Sequence, residues 1–264
     1  MLHLSVQFHS IAFLLACSMA CGELVYNDPV VVISDGGSLN FYEISWGTNG
    51  GSSIIVTDGL ISYYPFTGNA EDGWGNADGT VDGATLTNGV SGAEDTAYYF
   101  DDDRITLSTN LNSSLDGSTN FSLAMWLHSD AIGDVDEVFG SWASGQKKIG
   151  YYLYASGKQF LSVSPNGGST TTGNGTTGIA AGSWQHIAVA FNSGAVTFYV
   201  NGILAGTDTG LATDAYASAN PYSIGWWYGD SAAANSFEGR IDEVRIYDNV
   251  ITSNNVYLLA HEFD

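Results

Sequence analysis

Positions 237–248 read F-E-G-R-I-D-E-V-R-I-Y-D, with Ile241, Val244 and Ile246 apolar and Arg240, Asp242, Glu243 and Arg245 charged. This pattern predicts a late strand with one dry face and one wet face, followed by a short polar exit. Similar short runs rich in Val, Thr, Tyr and Phe recur upstream at roughly 8–15-residue spacing, separated by Gly, Asn and Asp. They fall at 60–66, 97–100, 105–107, 121–127, 138–142, 150–154, 160–163, 184–191 and 195–200. Strands at this spacing predict an all-β chain, a two-sheet antiparallel β-sandwich. The stretch 164–182, rich in Gly, Thr and Ser, reads as a mobile loop. One short helix is expected near the end, capped by Thr252 or Ser253, with Val256, Leu258, Leu259 and Phe263 on its apolar side.

The chain divides into three parts: 1–22, 23–57 and 58–264. The first has an apolar core of signal-peptide length, too short to span a bilayer, although no Lys or Arg precedes it. It predicts an extracellular or cell-surface protein. The two cysteines are Cys17 and Cys21. Cleavage after Gly22 removes both, whereas cleavage just before Cys17 or Cys21 would allow a lipid anchor. The 23–57 extension is β-prone but too short to bury its own core. Its strands are expected to pair with the edge of the main domain or to be donated to a neighbour, giving a homo-oligomer or polymer.

Six Lys plus Arg stand against 28 Asp plus Glu, a formal charge of −22. This balance excludes nucleic acid and anionic membranes as partners, since both need basic surface. It favours divalent cations and a solvated acidic surface.

Four stretches resemble, in order, landmarks of the laminin-G-like (concanavalin A-like) jelly-roll family. They are 60–66 with the Asp/Gly/Asn-rich turn 68–79; 97–105; 121–127 with 184–191 and 196–202; and the closing strand 237–248. Together they span 59–260. The resemblance implies a jelly-roll sandwich that recognises ligands at its surface. Two features depart from the family pattern: Glu71-Asp72-Gly73-Trp74 in the first turn, and His128 where a basic residue is usual.

The family also implies a Ca²⁺ near the first loop. Calcium takes six to eight hard oxygens, and 69–79 offers Asn, Asp and Glu between glycines. The expected ligands are Asp72, Asn76, Asp78 and, brought close as the resemblance implies, Asp242. The alternative is a turn whose Asp and Asn side chains bond their own backbone.

No catalytic constellation is legible, and the expectation is that the protein is not an enzyme. The E-x-D-x-E strand of sandwich glucanases does not occur. The neighbours Asp136 and Glu137 would point to opposite faces of a strand and could not flank one bond. His186 lies in an apolar run and reads as a packed strand residue. Exposed aromatics beside Asn, Asp and Gly suit sugar recognition, because rings stack on pyranose faces while polar groups fix hydroxyls. Trp74, Trp142, Trp227 and Tyr228 are the candidates, with one of Trp226 and Trp227 expected to face outward. Asn112, Asn120 and Asn174 begin N-x-S/T sequons. The leading reading is a secreted, calcium-stabilised, non-catalytic recognition or adhesion module for glycan or protein. Behind it stand a filament or surface-layer subunit assembling through 23–57 and, last, a glycoside hydrolase.

Overall fold

The computed structural model describes residues 7–8, 11–13, 17–20, 23–26, 30–34, 39–46, 52–230 and 235–263, with side chains at 56–230 and 235–263. There are two compact units, Met1–Asp58 with His261–Asp264, and Gly59–Ala260. In the first, Gln7–Phe8, Ile11–Phe13, Val30–Ser34, Leu39–Trp46 and Ser52–Ile55 pair in that order, and Cys17–Ala20 pairs with Glu23–Tyr26. The leader, the anchor cysteines and the strand-donor extension all involve side chains outside the described residues.

Among the described residues the second unit holds fifteen strands, numbered here from its start. They are β1 (Leu60–Tyr64), β2 (Gly79–Asp82), β3 (Thr85–Thr87), β4 (Ala97–Phe100), β5 (Arg104–Leu107), β6 (Asn120–Ser129), β7 (Val135–Gly140) and β8 (Lys147–Tyr154). The rest are β9 (Lys158–Gly167), β10 (Thr171–Gly178), β11 (Gln185–Asn192), β12 (Ala195–Val200), β13 (Ile203–Thr209), β14 (Ser223–Ile224) and β15 (Gly239–Tyr247). The first sheet runs β3-β4-β15-β6-β11-β12-β13, with β1 also on β15; the second runs β10-β9-β8-β7-β14-β5-β2. All pairs are antiparallel. Inward side chains of both sheets, among them Leu123, Met125, Val189 and Phe198 from the first and Tyr151, Leu153, Leu161 and Val163 from the second, merge into one core. This is the predicted two-sheet sandwich.

The closing strand departs from its dry-and-wet reading. β15 lies inside the first sheet, between β6 on one side and β4 and β1 on the other. Asp242 and Arg245 are 2% and 0% exposed. Glu243 has φ 54°, and the register against β6 slips between Ala124 and Trp126. This bulge breaks the two-residue alternation, which is why Ile241 and Val244 both reach the core. Arg245 is neutralised by Glu243 at 2.7 Å and lies 4.5 Å from the Tyr63 ring centre.

The stretch read as a mobile loop, 164–182, is largely strand: β9 runs to Gly167 and β10 follows. Gly173 and Gly175 take its inward positions, and a Cβ at Gly173 would stand 2.7 Å from Val196 and 2.8 Å from Leu211. Thr172, Asn174 and Thr176 face out. An edge strand built from inward glycines shows no apolar alternation, so its sequence looks like a loop.

A four-residue helix, α1 (Asn112–Leu115), buries Leu115. The expected C-terminal helix is α2 (Ser253–Ala260), capped by Thr252, whose Oγ1 accepts the Asn255 N–H at 3.2 Å. It packs on β11 and β13 of the first sheet. Ser122 of β6 ties the approach to α2 by donating to the Asn249 carbonyl (2.7 Å) and accepting the Ile251 N–H (3.0 Å).

Ile246 is fully buried and pairs with both β6 and β1. I246A is expected to cost about 2–5 kcal/mol. The check is a lower urea midpoint for the 59–260 transition with an unchanged m-value.

Candidate functional site

Gly140 of β7 pairs with Gly150 of β8. A Cβ on either would come within 2.9 Å or 2.7 Å, respectively, of the Trp227 indole, so glycine at both positions lets that ring lie flat against the second sheet. Trp227 donates Nε1–H to the Tyr151 carbonyl (3.2 Å) and its backbone N–H to Glu137 Oε2 (3.0 Å). It is 4% exposed.

Other aromatic side chains surround it. Trp142 lies 4.7 Å from Trp227 between ring centres, and Tyr152 meets Trp227 edge-on at 5.3 Å. Tyr152 stacks on Phe160 at 5.3 Å, and Tyr154 meets Phe160 edge-on at 5.4 Å. Tyr152 and Phe160 are cross-strand partners, and Asn174 faces Phe160 from β10. The hydroxyls of Ser162 and Thr172 are 2.6 Å apart, and burial pushes the Tyr152 phenol up. Trp142, Tyr152 and Phe160 are half-buried, while Tyr154, Thr172 and Asn174 are exposed. The result is a strip of rings edged by hydroxyls and an amide.

Glu137 faces Tyr152 in the β7–β8 register and is 1% exposed. Burial, then the Asp230 carboxyl beside it, pushes Glu137 up to about 9, so it is neutral at pH 7. Asp136 turns away and accepts the Gly133 N–H at 3.0 Å. The two neighbouring acids therefore serve different partners, as expected of adjacent strand positions.

The ligand candidates read from sequence separate. Trp142 belongs to the strip. Trp227 does not present its face, because it is buried among Trp142, Tyr152 and the two glycines; its role is support. Tyr228 is half-buried and its carbonyl accepts the Trp142 N–H at 2.7 Å. Trp74 is 47% exposed but stands in the 69–79 loop, which bonds β1 of the first sheet through Gly73 N–H to Tyr63 O. Trp226 is half-buried with the Arg104 guanidinium 4.4 Å from its ring centre. His186 is buried against Trp126, as its apolar run suggested.

The four calcium candidates do not form a cage. Asp72 Oδ1 accepts backbone N–H groups from Tyr63, Trp74 and Gly75 at 2.8–3.1 Å, and its Oδ2 accepts from Ala77 at 3.1 Å. Asp78 Oδ1 accepts the Asp72 N–H (3.0 Å), and the Asn76 carbonyl accepts Asn110 Nδ2–H (2.8 Å). Asp242 is held at a different loop, accepting the Val90 N–H (2.9 Å) and the Glu243 N–H (2.7 Å). Burial, then Glu243, pushes it up to about 8. Among the described residues no three His, Cys, Asp or Glu are grouped to hold a metal ion. Of the sequons, Asn112 spends its amide on the Ser218 and Asn220 carbonyls (3.1 Å each), Asn120 is half-buried, and Asn174 is exposed at the edge of the strip.

The family profile described as the concanavalin A-like lectin/glucanases superfamily matches residues 100–257. The chain belongs to that superfamily. Among solved structures, domain 4 of AbnA, a GH43 extracellular arabinanase from Geobacillus stearothermophilus, is similar at 25% identity and TM-score 0.61, covering 76% of this chain and 98% of that one. The binding domain of Paraclostridial Mosquitocidal Protein 1 follows at 16% identity and TM-score 0.61, covering 78% of this chain and 52% of that one. The binding domain of botulinum neurotoxin DC is similar at 13% identity and TM-score 0.59, with the same two coverages of 78% and 52%. This chain thus spans about half of each toxin domain, and these two likenesses establish the fold alone. No curated protein sequence matches the chain. Among the described residues no helix is long and apolar enough to cross a membrane.

Tyr152, Tyr154 and Phe160 are the residues of the strip that sequence reading passed over. All three sit in predicted strands, where a ring reads as core. Their signal is alternation: Tyr152 and Tyr154 are separated by the core residue Leu153, and Phe160 is followed by the core residue Leu161.

Glu137 and Asp242 hold protons in the folded state up to about 9 and about 8, far above the usual carboxyl range. The folded protein therefore binds more protons than the unfolded chain between those limits, and stability falls as pH rises from about 5 to 9. Thermal unfolding at stepped pH is expected to show this decline, and E137Q, which keeps an oxygen for the Trp227 N–H, to flatten it. Stability that rises over this window contradicts the assignment.

Proposed function

We propose that this chain is a non-catalytic carbohydrate-binding module whose stacking platform is Trp142, Tyr152, Tyr154 and Phe160, with the exposed Thr172 and Asn174 bonding sugar hydroxyls. The observation that carries this reading is the continuous strip of partly exposed rings on one sheet face, backed by Trp227 over Gly140 and Gly150. Rings bury large apolar area at little conformational cost and match the C–H faces of pyranoses and furanoses. Two of the similar structures support it: domain 4 of AbnA was solved with arabinotriose, and the botulinum neurotoxin DC binding domain with SialylT. A hydrolase needs an acid and a second carboxylate open to the same bond. Glu137, the acid beneath the strip, is 1% exposed and occupied by the Trp227 N–H, which suits a structural peg. The leader and the extracellular setting of such modules fit a secreted or surface protein.

Y152A and F160A are expected to weaken the tightest ligand found on a glycan array by about tenfold or more, the loss typical of a central aromatic anchor. W74A, in the loop of the other sheet, is expected to leave affinity unchanged. Isothermal titration measures all three. No glycan bound by the wild type, or equal loss in W74A and Y152A, overturns the reading.

A further inference from the structure

Resting on the platform reading above, we propose that the strip selects saccharides bearing a carboxylate or sulfate. The chain has six Lys plus Arg against 28 Asp plus Glu. Four of these cations are paired with carboxylates: Arg104 with Asp82 (3.7 Å), Lys148 with Asp116 (2.9 Å), Arg240 with Asp130 (3.4 Å) and Arg245 with Glu243 (2.7 Å). The remaining two, Lys147 and Lys158, have no ion-pair partner among the described residues. Both border the aromatic strip.

Lys147 opens β8. A register slip between Lys147 and Ile149 sends the two neighbouring lysines to different places. Lys148 goes to Asp116, fully buried, whereas Lys147 places its Nζ 5.0 Å from the Trp142 ring centre. Lys158 opens β9 and is exposed, directly across from Tyr154 and two residues before Phe160, on the same face. At roughly 3.3 Å per residue, Lys147 and Tyr154 lie about 20 Å apart along β8, so one ammonium stands at each end of the strip. Of the acids beside the strip, Glu137 is kept protonated at neutral pH by burial, Asp230 is turned to Glu137 and to Asn235 (3.5 Å), and Asp208 is turned to Asn174, accepting its backbone and side-chain N–H groups at 3.1 and 3.2 Å.

A protein carrying −22 repels anions over most of its surface. Unpaired cations on the one face that also offers stacking rings give an anionic sugar a place where both contacts are made together. Sugar carboxylates and sulfates share the chemistry that Lys recognises, and separate probes distinguish them.

The test is isothermal titration of the full chain with short oligosaccharides in matched pairs: oligogalacturonate against its carboxyl-reduced form, and a sulfated galactan oligosaccharide against its desulfated form. At least one charged probe is expected to bind about tenfold tighter than its neutral partner. K147Q and K158Q are each expected to lose about 2- to 5-fold on that probe, the range of an exposed ion pair, and nothing on the neutral one. The double variant is expected to erase the preference. Both positions are at the surface, and unchanged melting of the variants separates lost charge from lost fold. Equal affinity for charged and neutral partners, unaltered by the lysine variants, overturns the charge selection and leaves the stacking platform standing. Failure of every probe also overturns it, and the neutral glycans of the array then show whether the platform reading falls too.

Discussion

Each sheet has two faces, and the shared core can cover only one of them. What becomes of the other face decides what this molecule can do. On the first sheet, α2 packs against β11 and β13, and Ser122 ties the chain leading into it. Against the second sheet lies Trp227, over Gly140 and Gly150. Beyond that ring its outer face runs through Tyr152, Phe160 and Tyr154 to solvent. A sandwich with one sheet covered and the other faced with rings has a binding side built into its layer order.

The strip of rings owes its seat to what is missing from the side chains below it. Any residue larger than glycine at 140 or 150 would lift the Trp227 indole, and with it Trp142 and Tyr152. Glu137 completes the support from β7, protonated because burial disfavours its charge. The same economy appears at β10, where inward glycines let the edge strand close on Val196 and Leu211 and leave its outward positions to Thr172 and Asn174.

Much of the fold was legible because apolar alternation reports directly on burial. The strand runs, the sandwich and the Thr252 cap all follow from such local signals. Elsewhere the signal was erased by features that act across strands. Asp242 and Arg245, which alternation assigned to a wet face, are buried, Asp242 bonded by the Val90 N–H and Arg245 over the Tyr63 ring. The inward glycines of β10 hide a strand inside an apparent loop. Trp227 looks exposable in sequence, but its cover comes from residues on β7 and β8, which no local reading can bring together. The acidic 69–79 loop reads equally as a metal cage or as a self-bonded turn, and four backbone N–H groups bond Asp72. For the site itself, strand periodicity shows that Tyr152 and Phe160 oppose their core neighbours but not which face stays open, because that depends on where α2 packs.

The most direct measurement is NMR of the full chain with labelled aromatic side chains, titrated with the glycan that binds most tightly on an array. The account predicts that ring resonances of Trp142, Tyr152, Tyr154 and Phe160 shift together and saturate with one affinity, while Trp74 stays still. Shifts centred on Trp74 and its loop, with the strip unmoved, would contradict it.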